Sequence, residues 1–94
     1  MSMRKVSFIV WGPILRDDIP GLSERVCRLL ELSTAEVALC EVRDMTAPDA
    51  VTVEALARLQ LLAQRRGCRV SLVNASHELH DLIAFMGLTD VIPG

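Results

Sequence analysis

Two histidines lie close enough in the sequence to suggest a metal site. His77 and His80, in the stretch SHELHD, are three residues apart, with Glu78 and Asp81 beside them. Two imidazoles do not complete a tetrahedral site, and the spacing is not the HExxH of zinc proteases. Acidic residues at a helix start are expected from the helix dipole alone. The pattern therefore favours a solvated first helical turn, and we predict no metal ligand here.

Acidic side chains are further candidates for cation binding, and cysteine thiols are candidates for nucleophilic chemistry. Asp17 and Asp18 could hold a cation together with Asp49 if their loops converge, although such a pair is more often a polar loop that leads into a helix. Cys40 and Cys68 lie in strand patterns, where burial raises the pKa of a thiol and makes it unreactive. The sequence contains no glycine-rich phosphate loop. We therefore expect a protein that is not an enzyme and needs neither cofactor nor metal.

The most informative stretch is MTAPDAVTVEALARL, residues 45–59. A Pro-Asp turn precedes a long amphipathic run, and Asp49 or Thr52 is placed to cap the helix that follows. Phosphate-binding or reactive groups are usually expected at such a junction. This chain has Ala50 and Val51 there instead, so the helix start carries no reactive side chain.

Composition restricts the class of protein. The 94 residues are 51% hydrophobic and 23% charged, which describes one compact domain, residues 1–94, whose core needs no disulfide. Aromatic residues make up 3% and the formal charge is -2, so neither stacking platforms nor a basic footprint for nucleic acid or an anionic membrane is present. No apolar stretch approaches the roughly 20 residues of a membrane span. With an odd number of cysteines and no signal-peptide pattern, we expect a cytoplasmic protein that binds another protein.

Three short β-rich runs alternate with three longer amphipathic runs. The β-rich runs are residues 5–11, 36–42 and 68–73. The amphipathic runs are residues 20–31, 49–66 and 76–86. Val91-Ile92 is a candidate for a last short strand. This order predicts an α/β fold, with a mostly parallel four-stranded sheet, right-handed crossovers and about three main helices.

The loops that follow parallel strands lie at one end of the sheet, where open α/β sheets usually bind ligands and partners. These loops are residues 12–18, 43–49 and 74–76. Trp11, beside the first of them, is either a partner-binding anchor or a half-buried packing residue, and we favour packing. Phe85 and Met86 are either core residues or a hydrophobic contact.

Three segments carry a resemblance to a known family. They are the Asp49 block, GCRVSLVN after an Ala-Leu-rich helix, and LIAFMGLTDVIP near the end. Together with the order of elements from Val6 onward, they resemble the STAS family, which includes anti-sigma factor antagonists and the tails of sulphate transporters. The resemblance implies a single STAS-like domain with a role in bacterial signalling or transcription regulation.

The resemblance also implies a regulatory switch at the Asp49 block. The family usually has Asp-Ser-Ser-Gly or Asp-Ser/Thr-x-Gly here, and in the antagonists the second Ser accepts a phosphate from a partner kinase. In this chain Asp49 matches the Asp. Ala50 and Val51 stand at the two hydroxyl positions, and Thr52 stands at the Gly. The acceptor position is then Val51, which cannot be phosphorylated; Thr52 is the fallback acceptor, and Thr46 ranks below it.

Two functions follow from the resemblance. In the first, the chain is an antagonist-like regulator that binds an anti-sigma factor of the serine-kinase type. In the second, it is a constitutive adaptor subunit of a lipid-transport ATPase complex or a stress-signalling scaffold, not switched by phosphorylation. A third hypothesis, nucleotide or small-ligand binding, uses the same loops. The predicted partner-binding residues are Asp49, Ala50, Val51, Thr52, Glu54 and Arg58.

The start of the chain differs from the family pattern. Family members usually begin with a strand that pairs antiparallel with the next one, whereas only residues 1–4 precede the β-rich run that begins at Lys5. If that strand is missing, the sheet edge along residues 6–11 has unpaired backbone groups, which invite pairing with another chain. A homodimer through this edge is a further hypothesis.

Overall fold

The computed structural model describes residues 4–92. Three strands alternate with three α-helices, and a short 3-10 turn, Arg16–Asp18, precedes the first helix. The elements are β1 (Lys5–Ile9), α1 (Ile19–Leu32), β2 (Val37–Glu41), α2 (Ala50–Gln64), β3 (Arg69–Val73) and α3 (His77–Phe85). The predicted alternation is confirmed, and the predicted boundaries differ from these by one or two residues.

The sheet has the order β1-β2-β3, and both strand pairs are parallel. In this order, right-handed crossovers place α1 and α2 on the same face of the sheet. The two helices contact each other, and α2 also contacts β3 and α3. The domain therefore has two layers, with helices on one face of the sheet.

Burial along the strands follows this arrangement. Ala38 and Cys40 point to the helices and are 0% exposed, whereas Leu39 between them is only half-buried. Large apolar side chains of α2 and α3, including Leu56, Leu59 and Leu79, fill the space between the layers. On the opposite face of the sheet, Ile9 is 53% exposed, although Val37 at the start of β2 is buried.

The helix ends have the predicted signals. Asp49 caps α2 and Ser76 caps α3, each with a side-chain oxygen that accepts a hydrogen bond from the backbone N–H three residues on. Gly67 and Gly87 follow the last turns of α2 and α3 with φ angles of 72° and 73°. That left-handed conformation favours glycine, which explains why both helices end there.

The predicted fourth strand is not formed within residues 4–92, so the sheet has three strands rather than four. Val91 and Ile92 lie in a turn, and their N–H groups both donate to the carbonyl of Leu88, at 3.0 and 2.9 Å. The side chain of Gln60 occupies the place beside β3 that a fourth strand would need, because it bonds to the backbone of Val70. The prediction about the segment before Val6 falls mostly on residues 1–3, which lie outside the described residues.

Candidate functional site

The strand-to-helix loops converge at the carboxyl end of the sheet. The N–H of Gly12, in the first loop, donates to the carbonyl of Asp44 in the second, at 3.3 Å. Asn74, in the third loop, donates from its side chain to the Glu41 carboxylate at 2.8 Å, and the backbone N–H of Arg43 donates to the same carboxylate at 3.1 Å. The three loops therefore form one connected surface.

The helix start in this surface is fixed by a reciprocal pair of hydrogen bonds. The N–H of Thr52 donates to Oδ1 of Asp49 at 3.0 Å, and the N–H of Asp49 donates to Oγ1 of Thr52 at 3.2 Å. The Thr52 hydroxyl also donates a hydrogen bond to Oδ1 of Asp49, at 3.3 Å. Thr52 is 0% exposed. Its hydroxyl is thus occupied and covered, which is the capping-box role that its position predicts.

The residues around Thr52 are accessible. Asp49 and Ala50 are exposed, and Val51 is half-buried, with one side against the core. We refer to residues 49–51 as the α2 rim. It presents one carboxylate and two small apolar side chains, with no hydroxyl at its surface.

The outward side of α2 continues the α2 rim. Glu54 makes an ion pair with Arg16 at 2.8 Å and lies 4.0 Å from Arg58, so two guanidinium groups flank its carboxylate. Leu61, one turn further on, is 54% exposed. Residues 54, 58, 61 and 65 recur at helical spacing, so they form one stripe. We call it the α2 stripe; its members are Glu54, Arg58, Leu61 and Arg65.

Sequence reasoning missed two residues of this surface. Arg16 comes from the turn before α1, 38 residues from Glu54, and no local pattern links the two. Leu61 is one of several leucines in α2, and the residue type alone does not indicate which of them is exposed. Its spacing of seven residues from Glu54 was the available signal, since residues two turns apart share a helix face.

Trp11 is more exposed than we predicted. Its exposed fraction is 58%, and the guanidinium carbon of Arg25 lies 5.7 Å from the ring centroid, in a cation–π arrangement. Trp11 and Arg25 line a cavity of about 490 Å³ together with Asp17, Asp18 and residues near the start of α1. Phe85, at 88%, and Met86, at 37%, are also exposed, so neither belongs to the core.

The remaining candidates for chemistry lie apart from this surface or are covered. Burial raises the pKa of the Cys40 thiol to about 12, and burial also raises the pKa of Cys68, so both thiols stay protonated, as predicted. Nε2 of His77 lies 3.4 Å from Oδ2 of Asp81, and both side chains are exposed on α3. Asp18 accepts a hydrogen bond from the N–H of Leu15. Within residues 4–92, no group of three or more His, Cys, Asp or Glu side chains is arranged to hold a metal ion.

Comparison with known proteins leaves the resemblance as a prediction. No family model matches the chain, and no curated protein matches it significantly. None of the described helices combines the length and the apolar character needed to cross a bilayer.

Proposed function

We propose that this chain is a non-catalytic protein-binding domain that docks its partner through the α2 rim and the α2 stripe. The partner class implied by the STAS resemblance is an anti-sigma factor of the serine-kinase type. The observation that supports a docking role is the combination of an accessible helix start with side chains that are chemically inert. The two carboxylates of this surface cap a helix and pair with arginines, and a surface of this kind with no nucleophile or phosphate loop suits recognition and not turnover.

The charge of this surface limits what can dock there. Arg16, Arg58 and Arg65 are exposed, while the acidic groups nearby are Asp49 and Glu54, the second of which is shared by two arginines. Leu61 adds an apolar contact in the middle of the α2 stripe. Arginine is one of the residue types enriched in binding hot spots. We therefore propose a partner surface that is apolar at its centre and acidic at its margin.

The second candidate is the constitutive adaptor, and one observation favours it. In the family switch, a phosphate adds about -1.5 to -2 charge at the helix start and disrupts docking. Val51 cannot accept a phosphate, and the Thr52 hydroxyl is 0% exposed and bonded within the capping box. A kinase would have to unfold the first turn of α2 to reach it. The docking surface would then remain available at all times, as a permanent subunit requires.

Substitution of Val51 by aspartate tests the position of the docking surface. We expect Val51→Asp to weaken partner binding at least about a hundredfold, because an unpaired carboxylate buried in an interface costs on the order of 3 kcal/mol. Fold stability should fall by about 1 kcal/mol, because the loss of the apolar contact between Val51 and the core is only partly offset by a carboxylate in the first turn of a helix. The measurement is calorimetric titration against the partner isolated by pull-down from native lysate.

The control is Ala84→Asp, at an exposed position of α3, which should bind like the wild type. Equal affinities of wild type and Val51→Asp would place the docking surface elsewhere on the molecule.

Treatment with kinase and ATP separates the two functions. If the partner is a serine kinase, incubation of the wild-type chain should add no phosphate, while Val51→Ser, which restores the hydroxyl at the acceptor position, should gain one and lose affinity. Intact mass spectrometry measures both. A stoichiometric phosphate on Thr52 of the wild type would overturn the adaptor hypothesis. A partner that is a transport ATPase or scaffold subunit would support it.

A further inference from the structure

The two outer edges of the sheet are treated differently. At the β3 edge, the Gln60 side chain donates to the carbonyl of Val70 at 2.9 Å and accepts from its N–H at 2.8 Å, so both outward backbone groups of Val70, the second residue of β3, are paired. In the described part of the chain, β1 pairs with β2 alone. A parallel sheet with one covered edge can extend only at the other.

The backbone of β1 shows which of its groups are free. The carbonyl of Arg4 and the N–H of Val10 bond to residues of the β2 segment. Because hydrogen-bonding direction alternates along a strand, the even-numbered residues of β1 face β2. The N–H and C=O groups of Lys5, Ser7 and Ile9 therefore point outward.

An apolar groove runs beside this edge on the helix side. Its volume is about 470 Å³, and its lining includes Phe8 from β1 and Arg25, Val26 and Leu29 from α1. Leu32 lies one turn beyond Leu29 and is 83% exposed. Among the described residues, this edge therefore combines backbone groups that have no partner with apolar side chains on α1. Sheet edges that avoid association usually carry polar or charged side chains instead.

Basic side chains stand at the start of β1, and acidic side chains lie near its end. The basic residues are Arg4 and Lys5. At the end, Glu41 is aligned with Ile9 in the neighbouring strand and lies 3.8 Å from Arg43, and Asp17 and Asp18 line the cavity beside Trp11 together with Arg25. An antiparallel copy of β1 would bring its basic start to this acidic end, and two-fold symmetry would make the same contact twice.

We infer that the β1 edge binds β1 of a second copy of this chain, antiparallel and about a two-fold axis at Ser7. The two Ser7 residues then exchange N–H···O=C bonds, and Lys5 of each copy lies opposite Ile9 of the other. The result is a continuous six-stranded sheet. The two α1 helices run antiparallel beneath it, so Leu32 of each copy enters the groove beside Arg25 and Leu29 of the other. Because the β3 edge is covered at Val70, assembly stops at two copies.

Sedimentation equilibrium from micromolar to millimolar protein tests this dimer. The wild-type mass should rise from 10.4 kDa to twice that value and no further. Ser7→Pro removes the central outward N–H without touching the bonds to β2, and it should weaken dimerisation at least about tenfold. Ser7→Ala keeps the N–H and should dimerise like the wild type.

A second pair of variants probes the helix side of the same interface. Leu32→Glu should weaken dimerisation, whereas Phe85→Glu, at an equally exposed apolar position on α3 beyond the other edge, should leave it unchanged. A wild type that remains monomeric at millimolar concentration overturns the inference. So does a dimer that Ser7→Pro and Leu32→Glu both leave intact, or assembly beyond two copies. If circular dichroism shows that Ser7→Pro is unfolded, the effect of Leu32→Glu on dimerisation is the test of the inference.

Discussion

Gln60→Leu is expected to lower the free energy of unfolding by about 3–5 kcal/mol, because two buried backbone groups and one partly buried group lose their partner at about 1–3 kcal/mol each, partly offset by relaxation. Gln60 is 1% exposed. Its amide nitrogen donates to the carbonyls of Val70 and Val91, at 2.9 and 3.0 Å, and its carbonyl oxygen accepts from the N–H of Val70 at 2.8 Å. Leucine has a similar volume but offers none of these bonds. Urea unfolding followed by circular dichroism measures the change.

Gln64→Leu is the matched control. Gln64 lies one turn further along α2 and is exposed, so the same substitution should change stability by no more than about 0.5 kcal/mol. If Gln60→Leu and Gln64→Leu unfold at the same urea concentration, the amide of Gln60 does not stabilise the β3 edge.

The role of Gln60 has a consequence beyond stability. Gln60 ties β3 to the turn at residues 88–92 and pairs the backbone that a further strand would need. Without it, the outward groups of Val70 would lose their partner, and the dimer that we infer could extend into a chain of copies. In the dimer that we infer, this one side chain therefore limits both the width of the sheet and the number of copies that join it.

The sequence predicts those parts of the fold that depend on local patterns. The Asp49 cap is an example: its partner Thr52 lies three residues away, so both members of the capping box are visible in one short stretch. Gly67 and Gly87 are similar, because a left-handed residue at a helix end is a local requirement. Alternating β-rich and amphipathic runs then predict the parallel sheet.

The missed features depend on residues far apart in the chain. Gln60 and Gln64 stand in nearly the same sequence surroundings, and only the position of β3 after the chain has turned back makes one buried and the other exposed. The candidate strand at Val91-Ile92 is not formed, although β-branched residues favour strands. The side chain of Gln60, from α2, pairs with the backbone of β3 at the edge where that strand would lie. The ion pair between Arg16 and Glu54 likewise exists only after α1 and α2 pack together.

Gly12→Ala is expected to destabilise the fold by about 1–3 kcal/mol, the usual cost of inserting a methyl group into a filled space. A Cβ atom at Gly12 would lie 2.5 Å from the carbonyl oxygen of Thr46 and 2.8 Å from Sδ of Met45. The first of these atoms belongs to the backbone of the loop that leads to Asp49, so the loop itself must move. Thermal unfolding measures the loss of stability.

Gly21→Ala is the control for Gly12→Ala, because it adds the same methyl group where no other atom lies within 4 Å. Gly21 is in the first turn of α1, and alanine there should raise stability by up to about 1 kcal/mol. The two variants should also differ in partner binding. Displacement of the loop before Asp49 moves the α2 rim, so Gly12→Ala should weaken docking even at temperatures where it is fully folded. Unchanged affinity for Gly12→Ala would mean that the α2 rim is positioned by its capping box alone and not by the first loop.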